Sequence, residues 1–575
     1  MAFLSDGTHT LLVIDMTPTQ ASISRTRSIS RTRSISRTRL ATARVRQTVS
    51  PLARLCVLAT GALAGASLIL AAAAMASPTG ADASGLSRRT PPDRAAPATT
   101  AQSALPVSVA FSLLAPGRPV ARRFLGLSFE MAALGQLAQY AHRGDLVELL
   151  RSLGPGILRF GGITADENVA WTDAQTPRPS WATSTIGPIQ MNELGELARR
   201  SGWQVLLTVG MAHYEPTAAA REVAAAHRAL GPYLAGVEIG NEPNSYGSHG
   251  YRELPWIAQG YEEQVGAYRE AIDALTPDTP IAGPDVSGSG AFSEWGEEEA
   301  LAQSPALLTG HHYPLGCAQT PPPSIEALLS SAGRGAAALS LASYMAVSEL
   351  RETPLRIDEA NTVSCGGVSG ISNTFASALW ATGYIAQAMD AGTVGINLQG
   401  NPTNCVGYTP LCAPSAGALA RGELRAQPEW YALLLMRTLI GYRPLPTSIA
   451  AEGAPNLVAA GFSGPGRSLK IVLCNNEPES SGAMAVQLEV GAGMAPAQVQ
   501  RLTDSSPDAT EGMLLAGHAV ASNGTWPAPR RAEILAAHSG IVSIDLPPDS
   551  AALLTVAPAA TTAKAHSPNR RRQSH

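Results

Sequence analysis

Gly236-Val-Glu-Ile-Gly-Asn-Glu-Pro-Asn244 is an apolar run that closes on Asn241-Glu242-Pro243, with Glu242 at the point where a strand stops. A second apolar run, Leu355-Arg-Ile-Asp-Glu-Ala-Asn361, delivers another carboxylate, Glu359, 117 residues further along. Two carboxylates presented by the ends of two separated strands suit glycosidic bond cleavage, one as acid/base and the other as nucleophile. Asn-Glu-Pro alone is a weak signal, because short tripeptides recur by chance. Placed after a strand and matched by a second strand-end glutamate, it is much stronger. The plain alternative is that both glutamates are solvated loop residues.

Working outward, short apolar runs alternate with longer amphipathic stretches. The runs are Arg123–Glu130, Gly156–Gly161, Gln204–Gly210, Gly236–Glu242, Pro280–Asp285, Leu307–Tyr313, Leu355–Glu359 and Thr393–Gln399. Helix-like segments such as 188–201, 217–230, 256–275 and 372–391 separate them. Eight such units predict a closed (β/α)8 TIM barrel over 123–440. Side chains at the C-terminal strand ends then face the active site, and Glu130, Glu242, Tyr313 and Glu359 all fall there. The count places Glu242 on the fourth strand and Glu359 on the seventh.

After residue 441 the helical period fades. Ser468–Cys474, Ala485–Val490, Gly540–Asp545 and Ala551–Val556 alternate between Gly, Pro and Asn turns. This predicts a C-terminal antiparallel β-sandwich over 441–558. Residues 105–113 alternate too, so 105–122 is expected to join a strand to that sandwich before the barrel begins. Trp526 is the only tryptophan after residue 441. So few aromatics favour a structural role for the β-domain over a sugar-binding one.

The two ends differ from the middle. Ser22-Ile-Ser-Arg-Thr-Arg27 repeats at 28–33 and at 34–39, within a basic low-complexity stretch, 1–54. Residues 55–76 form an apolar segment ending in Ala74-Met75-Ala76, a small-residue site of the kind signal peptidase cleaves. Secretion to the periplasm or exterior is the expectation, and an uncleaved membrane anchor is the rival. Residues 77–104 compose a linker and 559–575 a basic disordered tail. The formal net charge of −4 gives the folded part no reason to bind nucleic acid.

Of six cysteines, Cys56 lies in the apolar segment, which leaves Cys317, Cys365, Cys405, Cys412 and Cys474. An odd number leaves at least one thiol free or paired between chains. Cys405 and Cys412 flank a short loop and are the best pair. His311-His312 is a lone doublet with no metal-ligand spacing nearby, so no metal is expected.

Val237–Asn244 and Arg356–Asn361, followed by Cys365-Gly-Gly367 and Ser372-Asn-Thr-Phe375, resemble glycoside hydrolase family 79, which holds β-glucuronidases and heparanase-like enzymes. The resemblance spans about residues 105–558. It implies a retaining exo-β-glucuronidase that needs no cofactor, takes a carbohydrate substrate and has no stable membrane association once its signal is removed. Glu242 is then the acid/base and Glu359 the nucleophile, with carboxyls roughly 5–5.5 Å apart. Asn241 meets the sugar 2-hydroxyl, or is a strand-end cap. Tyr313 bonds the nucleophile, or is a core tyrosine. Glu130 contacts sugar hydroxyls, or is a salt-bridged structural carboxylate. Arg159 and Asp358 orient charges. The amide of Gly366 and the pair Gly407-Tyr408 hold the sugar carboxylate. One departure stands out: Ser364 occupies the position where the family commonly has a tyrosine, which bears on glucuronide specificity. The alternatives are a barrel of the same kind acting on a neutral sugar or inside a polyuronide, and a non-catalytic carbohydrate-binding protein.

Overall fold

Eight parallel strands line up in the pairing order β4-β3-β2-β1-β8-β7-β6-β5. They are β1 (Leu125–Glu130), β2 (Ile157–Gly161), β3 (Gln204–Val209), β4 (Leu234–Ile239), β5 (Ala282–Ser287), β6 (Leu307–His312), β7 (Leu355–Ala360) and β8 (Gly395–Gly400). A bridge from Val237 to Ile281, with the Val237 amide 2.9 Å from the Pro280 carbonyl, joins β4 to β5 and closes the ring. This computed structural model describes residues 104–521, 523–527 and 532–559. The hexad repeats, the apolar segment 55–76, the linker up to residue 103 and the tail from residue 560 lie outside the described residues. No helix among the described residues is long and apolar enough to cross a membrane.

The eight runs read from the sequence all become barrel strands, because each is a short apolar stretch bounded by a turn or a helix. The helices follow local signals as well. Pro188–Ser201 begins on a proline, whose missing amide costs nothing in a first turn. It buries Met191, Leu194, Leu197 and Ala198 and stops at Gly202, where φ is 78°.

Alternation along the strands sorts the barrel. Leu127, Phe129, Leu158, Phe160, Leu207 and Val237 point outward to the helices and belong to the main apolar core. On the inward face, Ile157, Leu206 and Ala282 form a small apolar plug. Above the plug the inward positions turn polar: Ser128, Arg159, Thr208, Glu238 and Asp358 are all buried. A polar upper barrel is stable only if its groups satisfy one another.

The β-domain is built of two sheets. One runs Thr447–Ala451, Leu105–Phe111, Met484–Glu489, Ile541–Leu546 and Ala537–His538. The other contains Arg443–Leu445, Leu457–Ser463, Leu469–Asn475, Ser550–Val556, Ala497–Thr503 and Leu514–Leu515. Val107, Val109, Ile471, Leu473, Val486, Leu488, Ile544 and Leu554 fill the space between them. The strand at 105–111 joins this domain as expected, but the sandwich is not wholly antiparallel. Leu105–Phe111 runs parallel to Met484–Glu489, with Val107 opposite Val486. The whole barrel intervenes between those two segments, so no hairpin imposes an antiparallel pairing. The outer face of the second sheet buries Val458, Val472, Cys474, Leu502 and Leu553 in the main core with the barrel residues. Trp526 donates its indole N–H to the Leu515 carbonyl at 3.1 Å and packs against the same core.

Candidate active site

At the C-terminal end of the barrel, Arg159 from β2 is the hub. Its Nε donates to Glu238 of β4 at 2.9 Å. Nη1 donates to Ser128 at 3.1 Å and to Oε2 of Glu359 at 2.6 Å. Nη2 donates to Oδ1 of Asn241 at 2.9 Å and to both oxygens of Asp285, at 3.0 and 2.8 Å. Burial works against the guanidinium charge, but Asp285, Glu238, Asp358 and Glu359 outweigh it and hold Arg159 cationic. Asp358 lies 3.0 Å from Arg159 Nε, yet off the direction of that N–H, which points at Glu238. Burial first, then Glu238 and Asp285, holds the Asp358 carboxyl well above the ordinary range. Arg159 thus orients the groups around it, while Asp358 lies in the same cluster with neither oxygen hydrogen-bonded.

Glu242 and Glu359 come together. One carboxylate oxygen of each lies within 4.8 Å of the other and of the His311 ring. Two backbone irregularities make this convergence. The pairing of β7 shifts register between Ile357 and Ala360, so Asp358 and Glu359, neighbours in sequence, both reach the polar cluster. Glu242 has φ 46°, a left-handed conformation rare outside glycine, and its amide donates to the Asp285 carbonyl at 2.9 Å. The Glu242 side chain is 28% exposed and that of Glu359 only 9%. One carboxyl is open to solvent, and the other is clamped: Tyr313 donates to Oε1 of Glu359 at 2.8 Å while Arg159 holds Oε2.

His311, weighed in the sequence only as a metal ligand, stands inside the site as a hydrogen-bonding residue. Its Nδ1 is 2.9 Å from Oε1 of Glu242 and its Nε2 is 2.7 Å from Oδ1 of Asp285. Burial alone would lower its pKa, but Glu359, Asp285 and Asp358 outweigh burial and raise it well above the ordinary imidazole value. The Tyr344 hydroxyl holds the His311 carbonyl at 2.6 Å. Asp285, Glu238 and Asp166 were also missed. Asp166 accepts from the amides of Met211, Ala212 and Asn241 and from the Tyr246 hydroxyl, at 2.7, 3.0, 3.0 and 2.6 Å. A signal existed for two of them: Asp285 closes the fifth apolar run, and His311 sits two residues before Tyr313 in the sixth.

Asn241 has its amide N–H on Asp166 and its Oδ1 on Arg159, which turns its side-chain NH2 away from the guanidinium. Glu130 accepts from the amide and hydroxyl of Thr164, at 3.0 and 2.6 Å. The adjoining Gly162, at φ 69°, is a required glycine, since a Cβ there would lie 2.4 Å from Glu130 Oε1. Burial first, then Glu359, raises the Glu130 pKa.

The loops after β7 and β8 touch each other. The Tyr408 amide donates to the Gly366 carbonyl at 3.2 Å, and Gly407 must be glycine because a Cβ would sit 2.2 Å from that same oxygen. The Tyr408 hydroxyl is 3.3 Å from that of Tyr313. Ser364 accepts from the Cys317 amide at 3.1 Å. Disulfides Cys317–Cys365 and Cys405–Cys412 pin these loops, and Cys474 is free and buried. The Cys405–Cys412 pair is the one expected from the sequence.

No family model and no curated protein matches the chain. Solved structures do, and they define the architecture as a (β/α)8 barrel with a C-terminal β-domain, shared with glycosidases. A 4-O-α-L-rhamnosyl-β-D-glucuronidase from Fusarium oxysporum is similar at TM-score 0.62 and 18% identity, over 78% of this chain and 100% of that one. A family 51 α-L-arabinofuranosidase from Bifidobacterium longum is similar at TM-score 0.58 and 12% identity, over 78% and 99%. A GH51 arabinofuranosidase from Xanthomonas axonopodis pv. citri follows at 0.56 and 14%, over 79% and 100%. At such identities the likeness is one of fold.

Proposed function

We propose that this chain is a retaining glycoside hydrolase, acting as a secreted exo-β-glucuronidase of the family 79 type. The observation that carries the reading is the approach of Glu242 and Glu359 oxygens to within 4.8 Å. Carboxyls brought that near each other suit a retaining pair, in which one attacks the anomeric carbon directly. Glu359 is the nucleophile, because Arg159 and Tyr313 orient its two oxygens. Glu242 is the acid/base, because it is the more exposed and can meet first the leaving oxygen and then a water. In the first step Glu359 attacks, the glycosidic C–O bond breaks and Glu242 gives its proton to the departing oxygen. In the second, Glu242 takes a proton from water, which displaces Glu359 and releases the sugar with its original β-configuration. Asn241 offers its free NH2 to the sugar 2-hydroxyl, and Glu130 offers Oε1 to another hydroxyl.

The glucuronide preference rests on Gly366, Gly407 and Tyr408, where the loops after β7 and β8 meet beside Tyr313, and on the likeness to the Fusarium glucuronidase. A neutral sugar is the second reading, and specific contacts favour it. The Tyr408 amide is already spent on Gly366, Ser364 is engaged with Cys317, and the nearby charges include the carboxyls of Glu130 and Glu359. Two disulfides support export to an oxidising compartment.

The deciding experiment is turnover of a panel of chromogenic β-glycosides, with early-time NMR of the released sugar. Release of a β-anomer supports the retaining pair, and an initial α-anomer overturns it. Faster hydrolysis of the glucoside or xyloside replaces the glucuronidase label and keeps the mechanism. Glu359→Gln should abolish turnover of every substrate, and azide should restore Glu359→Ala with inverted stereochemistry. A carbohydrate-binding protein would turn over none of the panel.

A further inference from the structure

We infer that Asp285 is a positioning residue for the proton-donating carboxyl of Glu242, which it reaches twice: through His311, and through its own main-chain carbonyl. The inference rests on Glu242 being the acid/base.

The first route crosses one imidazole ring. Asp285 Oδ1 meets Nε2 at 2.7 Å, and Glu242 Oε1 meets Nδ1 at 2.9 Å. The second route is the Glu242 amide, which donates to the Asp285 carbonyl at 2.9 Å. Asp285 reaches both places because β5 shifts register between Pro284 and Val286. At that shift Asp285 has φ 59°, and Glu242 has φ 46°. Two non-glycine residues in the left-handed region, bonded to each other, make a costly arrangement on both strands, and such strain gathers at functional sites.

Charged groups from four strands or their ends face His311. Glu242 comes from the end of β4 and Asp285 from β5. Asp358 at 3.6 Å and Glu359 at 3.9 Å come from β7, and Arg159 at 3.4 Å comes from β2. Both ring nitrogens face carboxylate oxygens, and an imidazolium can donate to both at once. Asp285 is the carboxylate in hydrogen-bond contact with the nitrogen remote from Glu242, and Arg159 and His311 keep it ionised against its burial. It therefore holds the ring in plane and keeps it charged. A charged ring donating to Glu242 stabilises the carboxylate that forms when the proton leaves for the glycosidic oxygen.

The test is the pH profile of kcat/KM for Asp285→Asn and Asp285→Gly, both tolerant of a left-handed backbone. The substrates are a series of aryl β-glycosides of the sugar the wild type prefers. With Asp285 uncharged, His311 loses its proton earlier and no longer offers a charged donor to Glu242. The alkaline limb should move up by about one pH unit in both variants. The rate loss should be greatest for poor leaving groups. In a His311→Gln background Asp285→Asn should move the limb no further. A uniform rate loss with an unchanged profile would make Asp285 merely structural and overturn the proposal. A shifted acid limb alone would assign it to Arg159 and Glu359, and would also overturn it. If neither variant folds, 15N-histidine NMR of the wild type decides, with His311→Gln assigning the signal: both ring nitrogens protonated near pH 7 is the expected result, and a neutral ring overturns it. Failure of the underlying assignment is seen separately, as Glu242→Ala losing all leaving groups equally.

Discussion

The Tyr313 hydroxyl donates to Oε1 of Glu359 at 2.8 Å and lies 3.3 Å from the hydroxyl of Tyr408. One phenol thereby links Glu359, the proposed nucleophile, to Tyr408 on the loop after β8. Burial, then Glu359 and Tyr408, pushes the Tyr313 pKa far up, so it remains a donor throughout the working pH range.

Tyr313→Phe keeps the ring and removes that donor. A hydrogen bond to a charged group contributes about 1.5–3 kcal/mol, so kcat should fall roughly 10- to 100-fold. Thermal stability should change little. Steady-state kinetics beside a melting curve checks both, and an unaltered kcat would leave Tyr313 a packing residue only.

Glu242→Ala should hurt substrates with basic leaving oxygens far more than those with good leaving groups, since protonation matters most where the leaving group is poor. A leaving-group series measures this. Equal losses along the series would remove Glu242 from the acid role.

Specificity can be read from Tyr408→Phe. If Tyr408 faces a sugar carboxylate, the change should cost roughly 1–3 kcal/mol on the glucuronide and little on the glucoside. Ser364→Tyr should keep or improve glucuronide turnover if the missing phenol can enter the same pocket. Because Ser364 also holds the Cys317 amide, the melting temperature of this variant must be followed alongside. A Tyr408→Phe enzyme with equal losses on both sugars would contradict the carboxylate pocket.

Glu222, buried on the helix Pro216–Leu230, has its pKa raised by burial to about 8. An unfolded glutamate titrates near 4.3. Neutral Glu222 therefore supports the fold fully below that value, and the support is lost as pH climbs through 8. Glu222→Gln should match the wild type below about pH 4 and exceed it by a few kcal/mol near pH 9. Melting curves across pH give the answer, and parallel curves for the two proteins would show that Glu222 does not titrate in this range.

Much of this was legible in the chain. The spacing of apolar runs marked all eight barrel strands, and Glu242, Glu359 and Tyr313 follow the fourth, seventh and sixth of them. Such signals are local. A run of four to eight apolar residues, a proline at a helix start and a glycine at its end act within a few positions of where they stand. Once the order of strands is known, the barrel itself dictates that their C-terminal ends converge.

Other features depended on closure of the ring. Strict alternation along β7 would send Asp358 inward and Glu359 outward, and the register shift between Ile357 and Ala360 brings both to the site. The left-handed turns at Glu242 and Asp285 meet across neighbouring strands, where the Glu242 amide donates to the Asp285 carbonyl. His311 looked unremarkable beside His312 until carboxylates from β4, β5 and β7 closed around it. The parallel strand at 105–111 and the Cys317–Cys365 bond likewise join segments far apart in the chain. The sequence by itself determined which residues stand at the strand ends, through periodicity and turn chemistry. Only the tertiary structure decided which of them touch, because register, bulges and the charge balance around Arg159 are set by partners that no local pattern brings together.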